Sequence, residues 1–170
     1  MTFDELGDYF LQLPDEIMTD VPDIIAETAT EYFKETFTKK GFDGNAWPQA
    51  KTTKQTGSLM VQSGNLVNSI QPSYIGRDKV VISAGNEKVP YAQIHNEGGE
   101  THPTVTPKMR KMAWAKYKAT GNETWKGLAM TKKQKLDVKI PQRQFMGNSK
   151  ELAARLVERI EGLIKSIINA

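Results

Sequence analysis

Residues 148–170 read NSKELAARLVERIEGLIKSIINA, and their spacing sets the frame for the rest of the chain. Leu152, Leu156, Ile160, Leu163, Ile164 and Ile167 fall on one face of a 3.6-residue helix. Asn148, followed three residues later by Glu151, gives a capping-box-like start. A helix with one apolar stripe has to bury it, so the remaining chain must supply a complementary apolar surface.

A second long helix is predicted from Pro14 to Lys40, where Ile17, Val21, Ile24, Ile25, Ala29, Tyr32, Phe33 and Phe37 keep helical spacing. Asp20 is placed to cap its best-formed part, with Pro22 in the first turn and Asp23 and Glu27 near the positive dipole end. Lys39, Lys40 and Gly41 are stop signals. Residues 1–13 form a short leading helix or arm. Residues 41–64 show neither period and read as an ordered loop pinned by Phe42 and Trp47.

From Asn65 to Ser83 the pattern is that of a β-hairpin, with LVNSIQPSYI and KVVIS as strands around Gly76-Arg77-Asp78. Thr101–Thr106 and Leu136–Ile140 are two further strand candidates. Pro107–Tyr117 reads as a short basic helix and residues 118–135 as a long basic mobile loop. The order predicts one α+β domain over 1–170: a small antiparallel β-sheet packed against a long N-terminal helix and a long C-terminal helix.

A chain of 170 residues suits one ordinary core. With no cysteine it has neither a disulfide framework nor thiolate metal ligands. No basic segment followed by an apolar run opens the chain, and no window nears the ~20 apolar residues of a membrane helix. A cytoplasm-like compartment of synthesis is expected. The net charge of +3 hides a strong asymmetry: residues 1–35 carry ten acids against Lys34, whereas residues 108–143 carry eleven Lys and Arg against Glu123 and Asp137. Such a division suits solvated faces of opposite sign, an anion-binding patch, or copies joined acidic surface to basic surface.

Catalytic chemistry has no positive signal. His95 and His102 stand near Glu97 and Glu100 but lack HExxH spacing or a third histidine, so no metal or other cofactor is expected. The serines sit in GSL and SGN, which are turn-like, and there is no phosphate-cradling glycine loop. Nucleic-acid binding remains open: PKMRKMAWAKYK and TKKQK offer Lys108, Arg110, Lys111, Trp114, Lys132 and Lys133. Against it, Met109, Met112, Ala113 and Tyr117 would share a helical face that reads as core.

Four motifs recur in order between the two helices: GFDGNAWPQA (41–50), LMVQSGNLVNSI (59–70), VPYAQIHNEGG (89–99) and IPQRQFMGNS (140–149). Together they resemble the phage virion morphogenesis family, small proteins of tail completion and head–tail joining in tailed bacteriophages and prophages. The resemblance covers about residues 14–168. It departs from the family pattern where Asn96-Glu97 separate His95 from Gly98, and where Arg143-Gln144-Phe145 replaces an Arg-Pro-Phe run.

The resemblance implies a non-enzymatic structural protein without cofactors, a homo-oligomeric ring of six, at the head–tail joint or tail end. Its implied partners are the tail tube or tail terminator and the head–tail connector, with incidental contact to packaged DNA and none to a membrane. Synthesis would be in the host cytoplasm and the final location the virion. Trp47, Gly64, Tyr91, His95, Gly98 and Gly99 are expected to shape corners, with Tyr91 and Ile94 anchoring one of them. Arg143 and Phe145, with Lys108, Arg110, Lys111, Lys132 and Lys133, are expected at subunit or partner interfaces, facing Glu27 and Glu31 of an acidic helix. A nucleic-acid-binding module built on 108–143 is the competing expectation.

Overall fold

The computed structural model describes residues 3–11, 13–15, 17–50 and 57–169. In chain order the elements are α1 (Phe3–Leu11), a 3-10 turn (Ile17–Thr19), α2 (Val21–Lys39), β1 (Gly41–Phe42), β2 (Asn45–Ala46) and α3 (Asn65–Asn68). There follow β3 (Gln71–Gly76), β4 (Lys79–Ser83), α4 (Ala92–Glu97), β5 (Gly99–Thr101), α5 (Pro107–Thr120), α6 (Glu123–Met130), β6 (Val138–Ile140) and α7 (Lys150–Ile168). They fall into two compact units, Met1–Glu97 with Gln142–Ala170, and Gly98–Pro141.

In the larger unit α2 and α7 contact each other, and the β3–β4 hairpin and β1 lie against α2. The arrangement is α+β, with small antiparallel hairpins and two long helices. Among the described residues the expected single sheet is instead three separate two-stranded pairs, β1–β2, β3–β4 and β5–β6. The predicted N-terminal helix breaks at Asp20: a 3-10 turn precedes it, and its side chain makes no cap bond. Pro22 occupies the first turn, where its missing N–H would have had no helical acceptor.

The core centres on aromatic side chains. Tyr32, Phe33 and Phe37 of α2, Phe42, Trp47 and Phe145 are all buried, and Phe37 meets the Trp47 and Phe145 rings at 5.3 and 5.2 Å. Leu152, Ala153 and Leu156 close this cluster from α7, while Ile160 joins Ile17 and Val21 in a second one. Along the α2–α7 seam Arg159 pairs with Glu27 (2.7 Å) and Glu31 (3.4 Å), Arg155 with Glu35 (2.9 Å), and Lys39 with Glu151 (2.8 Å).

Three local expectations change. The region after Lys40 is not wholly loop: Asp43 and Gly44 take φ of +48° and +79°, making the two-residue turn that joins β1 to β2. In LVNSIQPSYI the first half is helical, because Gly64 enters α3 at φ +77° and the Ser69 hydroxyl donates to the Leu66 carbonyl at 2.7 Å; the strand starts only at Gln71. The segment 118–135 is mostly helical. α5 runs on to Thr120, Gly121 closes it at φ +67°, and the Asn122 side chain accepts from the Thr124 amide to start α6.

In the smaller unit α5 and α6 pack together, with Ala113 and Ala129 buried, and Val105 is buried just before α5. Thr101–Thr106 is not one strand. β5 ends at Thr101, Pro103 offers no N–H, and Thr104 forms only an isolated bridge to Lys135. The Val105 amide donates to Gln134 and the Leu136 amide to Pro103, holding the two strips together ahead of β6.

Candidate functional site

The motif residues of the larger unit converge on the segment 143–149. From the first motif, the Trp47 indole donates to the Gln144 carbonyl at 2.6 Å. The Arg143 guanidinium reaches back, donating from Nε to Pro48 O at 2.9 Å and from Nη2 to Gln49 O at 3.4 Å. From the third motif, the His95 carbonyl accepts the Arg143 amide at 2.9 Å, and Asn96 Oδ1 accepts both the Phe145 and Met146 amides at 2.9 and 3.0 Å. Two sequence segments about fifty and ninety-five residues upstream are thus stapled to one irregular strip, which has no ladder partner of its own.

The same strip leads into the start of α7. Its N-cap is Ser149, one residue later than the sequence indicated, and the Ser149 Oγ accepts the Leu152 amide at 3.1 Å. The Ser149 hydroxyl also lies 2.7 Å from Asp43 Oδ1, to which it donates, and 2.6 Å from the Tyr32 hydroxyl. Asp43 Oδ1 further accepts the Glu151 amide at 3.1 Å, so a carboxylate from the β1–β2 turn answers the positive end of α7. The Ser149 hydroxyl, then the Glu151 amide, hold the Asp43 carboxyl below its usual range. Burial pushes the Tyr32 phenol up.

Above the strip opens a cleft of ≈ 450 Å³ whose wall includes Leu59, Met60, Gly64, Tyr91, His95 and Arg143. Tyr91, just before α4, and His95 on α4 stand edge to face at 5.6 Å. The predicted corner at His95 is therefore a short helix, and Tyr91, 38% exposed, lines the cleft instead of anchoring the core. Gly98 follows α4 at φ +74° and Gly99 has φ +149°, both positive as a glycine-dependent reversal requires.

Two expected interface residues belong to the interior. Phe145 is 1% exposed, and Arg143 is 8% exposed with its guanidinium turned onto main-chain carbonyls. An aromatic at the meeting point of three segments is worth more to packing than to a partner. The other expected interface residues are on the surface. Glu27 and Glu31 pair with Arg159 yet keep 58% and 61% of their side-chain surface. In the smaller unit Lys108, Lys111, Lys132 and Lys133 are exposed and Arg110 is half-buried. Of the apolar face expected on this helix, Ala113 is buried and Met109 and Tyr117 half-buried, whereas Met112 is 43% exposed; Trp114, expected on the nucleic-acid surface, is 40% exposed. Sequence reasoning missed Asn96, Asp43 and Tyr32. Asp43-Gly44 carried a turn signal; nothing local marked Asn96.

Among the described residues no group of three or more His, Asp or Glu is placed to hold a metal ion, and no helix is long and apolar enough to cross a membrane. His102 instead meets Asp137 at 3.0 Å. The model of the phage virion morphogenesis family matches residues 11–165, a span that takes in the 143–149 segment, the cleft wall, all of α2 and most of α7. The chain belongs to the phage virion morphogenesis family. It is a non-enzymatic phage structural protein of tail completion and head–tail joining, associated with the structural components of the virion. No curated protein and no solved structure matches the chain. For this family member, the 143–149 segment is a scaffold: its hydrogen bonds run to main chain and to the Trp47, Asn96, Asp43 and Tyr32 side chains, and its Phe145 ring fills the core.

Proposed function

We propose that this protein closes into a ring of six at the head–tail joint, made in the host cytoplasm and retained in the virion. The ring sits between the tail tube or tail terminator and the head–tail connector. Family membership supports the place, and the unequal charge of the two units supports the ring. Gly98–Pro141 holds ten Lys and Arg against Glu100, Glu123 and Asp137, a balance of +7, which leaves −4 for the rest of the chain.

Two basic units facing each other would repel, whereas a basic patch on an unlike, acidic patch attracts. Contacts between unlike patches are the kind that propagate around a closed ring. Glu27 and Glu31, more than half exposed despite Arg159, have room for a second cation, and Lys132 and Lys133 of the next copy would supply it.

Sedimentation of the purified chain at about 50 mM and about 1 M salt tests the contact, since the screening length shrinks to ~3 Å at the higher value. The expected result is an oligomer that dissociates in high salt; an assembly indifferent to salt would remove the electrostatic contact. Particles made without the protein should appear as filled tailless heads beside headless tails. Normal virions would overturn the joining role proposed for this chain.

A further inference from the structure

The smaller unit converts a cation-rich stretch into an ordered ridge. On α5, Lys108, Lys111, Ala115 and Lys118 are exposed and follow one another at three- and four-residue steps, with exposed Ala119 four residues after Ala115, so they share one face. From Lys108 to Lys118 that ridge runs about 15 Å at ~1.5 Å per residue.

Its charge is uncompensated. Lys116 lies over the Trp125 ring, and Lys126, Lys133 and Lys139 pair with Glu123, Asp137 and Glu100. Among the described residues, by contrast, Lys108, Lys111 and Lys118 make no ion pair, and neither do Arg110, Lys132 and Lys135. Lys132 and Lys135 belong to the strip that is hydrogen-bonded to residues 103–105, immediately before α5.

We propose that this α5 ridge is a binding surface for the phosphate backbone of duplex DNA, without sequence preference. A duplex presents a dense, regular row of negative charge, about one per 1.7 Å of axis. Three lysines in line meet such a row as point charges, and Ala115 between Lys111 and Lys118, with Ala119 just beyond, lets the helix backbone come close. The ridge carries no Asn, Gln or Arg, the side chains that read base edges, so it positions without specifying.

An acidic protein face is the weaker fit. Within this chain Glu35 and Glu151 of the long helices are answered by Lys39 and Arg155. Asp20, Asp23, Glu27 and Glu31 follow one another along α2, but that row is the contact proposed above for Lys132 and Lys133 rather than for the ridge, and the other acids outside ion pairs, such as Asp8, Asp78, Glu87 and Glu158, lie on different elements. The proposal goes beyond the ring and does not depend on it, because a single copy carries the whole ridge.

The test is fluorescence anisotropy of two unrelated 30-base-pair duplexes titrated with the full chain between about 50 and about 200 mM salt. The wild type should bind both duplexes equally, with affinity falling steeply as salt rises. The Lys108→Gln, Lys111→Gln, Lys118→Gln variant should bind about tenfold or more weakly at the lower salt, with a log–log salt slope shallower by about 2.7, from ~0.9 per lost phosphate contact. A variant with the same charge loss elsewhere, Lys79→Gln, Lys88→Gln, Lys165→Gln, should bind nearly as wild type. All substituted side chains are exposed, and circular dichroism is the check that each variant is folded. Absent binding at the lower salt, or equal losses in the two triple variants, overturns the proposal. So does a ridge variant that loses self-association while the wild type ignores DNA, an outcome that assigns the ridge to a protein partner.

Discussion

Asn96 shows how much one side chain can carry in a strip that has no ladder. Its carboxamide oxygen serves two main-chain amides, those of Phe145 and Met146, and these two donors fix which way the amide points. Asn96→Ala would leave both amides without that acceptor in a partly buried setting, at a cost of about 2 kcal/mol or more. Asn96→Asp keeps an acceptor oxygen in place and should lose distinctly less. Urea midpoints of the three proteins check the order; equal losses for Ala and Asp would mean that the oxygen is not what matters. No local pattern pointed to this role, because a hydrogen bond spanning some fifty residues leaves no periodicity behind. Phe145 was misjudged for a related reason. An aromatic beside an arginine suits an interface or a core equally, and only the positions of Phe37 and Trp47 decide between them.

At the scale of elements, what the sequence revealed depends on length. α2 and α7, each of 19 residues, repeat their apolar positions often enough for the period to be read. α6 has eight residues with a glycine inside, and its apolar set is too short to distinguish from a loop. The β1–β2 hairpin has two residues per strand and is announced only by its turn. That turn makes a sharp prediction. Gly44 has φ +79° and open space around a would-be Cβ, so Gly44→Ala meets no clash and pays only the left-handed backbone, about 1–2 kcal/mol. Gly44→Asn should cost less, because asparagine tolerates that conformation. Because Asp43 rides on the same turn and reaches the start of α7, distortion there should also loosen that helix end. Faster amide exchange at Leu152 in the Ala variant is the expected sign, and unchanged exchange would uncouple the two elements.

At the scale of the molecule, α+β character and the two long helices were legible because both depend on repeated pattern, whereas the number of sheets and the second compact unit depend on which distant segments pair. Charge behaves similarly: the sign of each region is legible along the chain, but pairing decides what remains available. Glu27, Glu31 and Glu35 are met along α2 by arginines of α7, which the linear acidic run conceals. This bears on acid stability. Asp43 is held low by Ser149 and the Glu151 amide, Glu35 by Arg155, and Glu151 by Lys39. A carboxyl whose folded-state value is depressed stabilises the fold above its ordinary value and loses that contribution as pH falls through the folded value. The ordinary values are 3.8 for Asp43 and 4.5 for Glu35 and Glu151. The urea midpoint should therefore hold steady from neutral pH to about 5 and decline below it. An Asp43→Asn, Glu35→Gln variant should be less stable at neutral pH and show a shallower acid decline, since two of the three groups no longer titrate. A decline as steep as that of the wild type would place the acid sensitivity on other carboxylates.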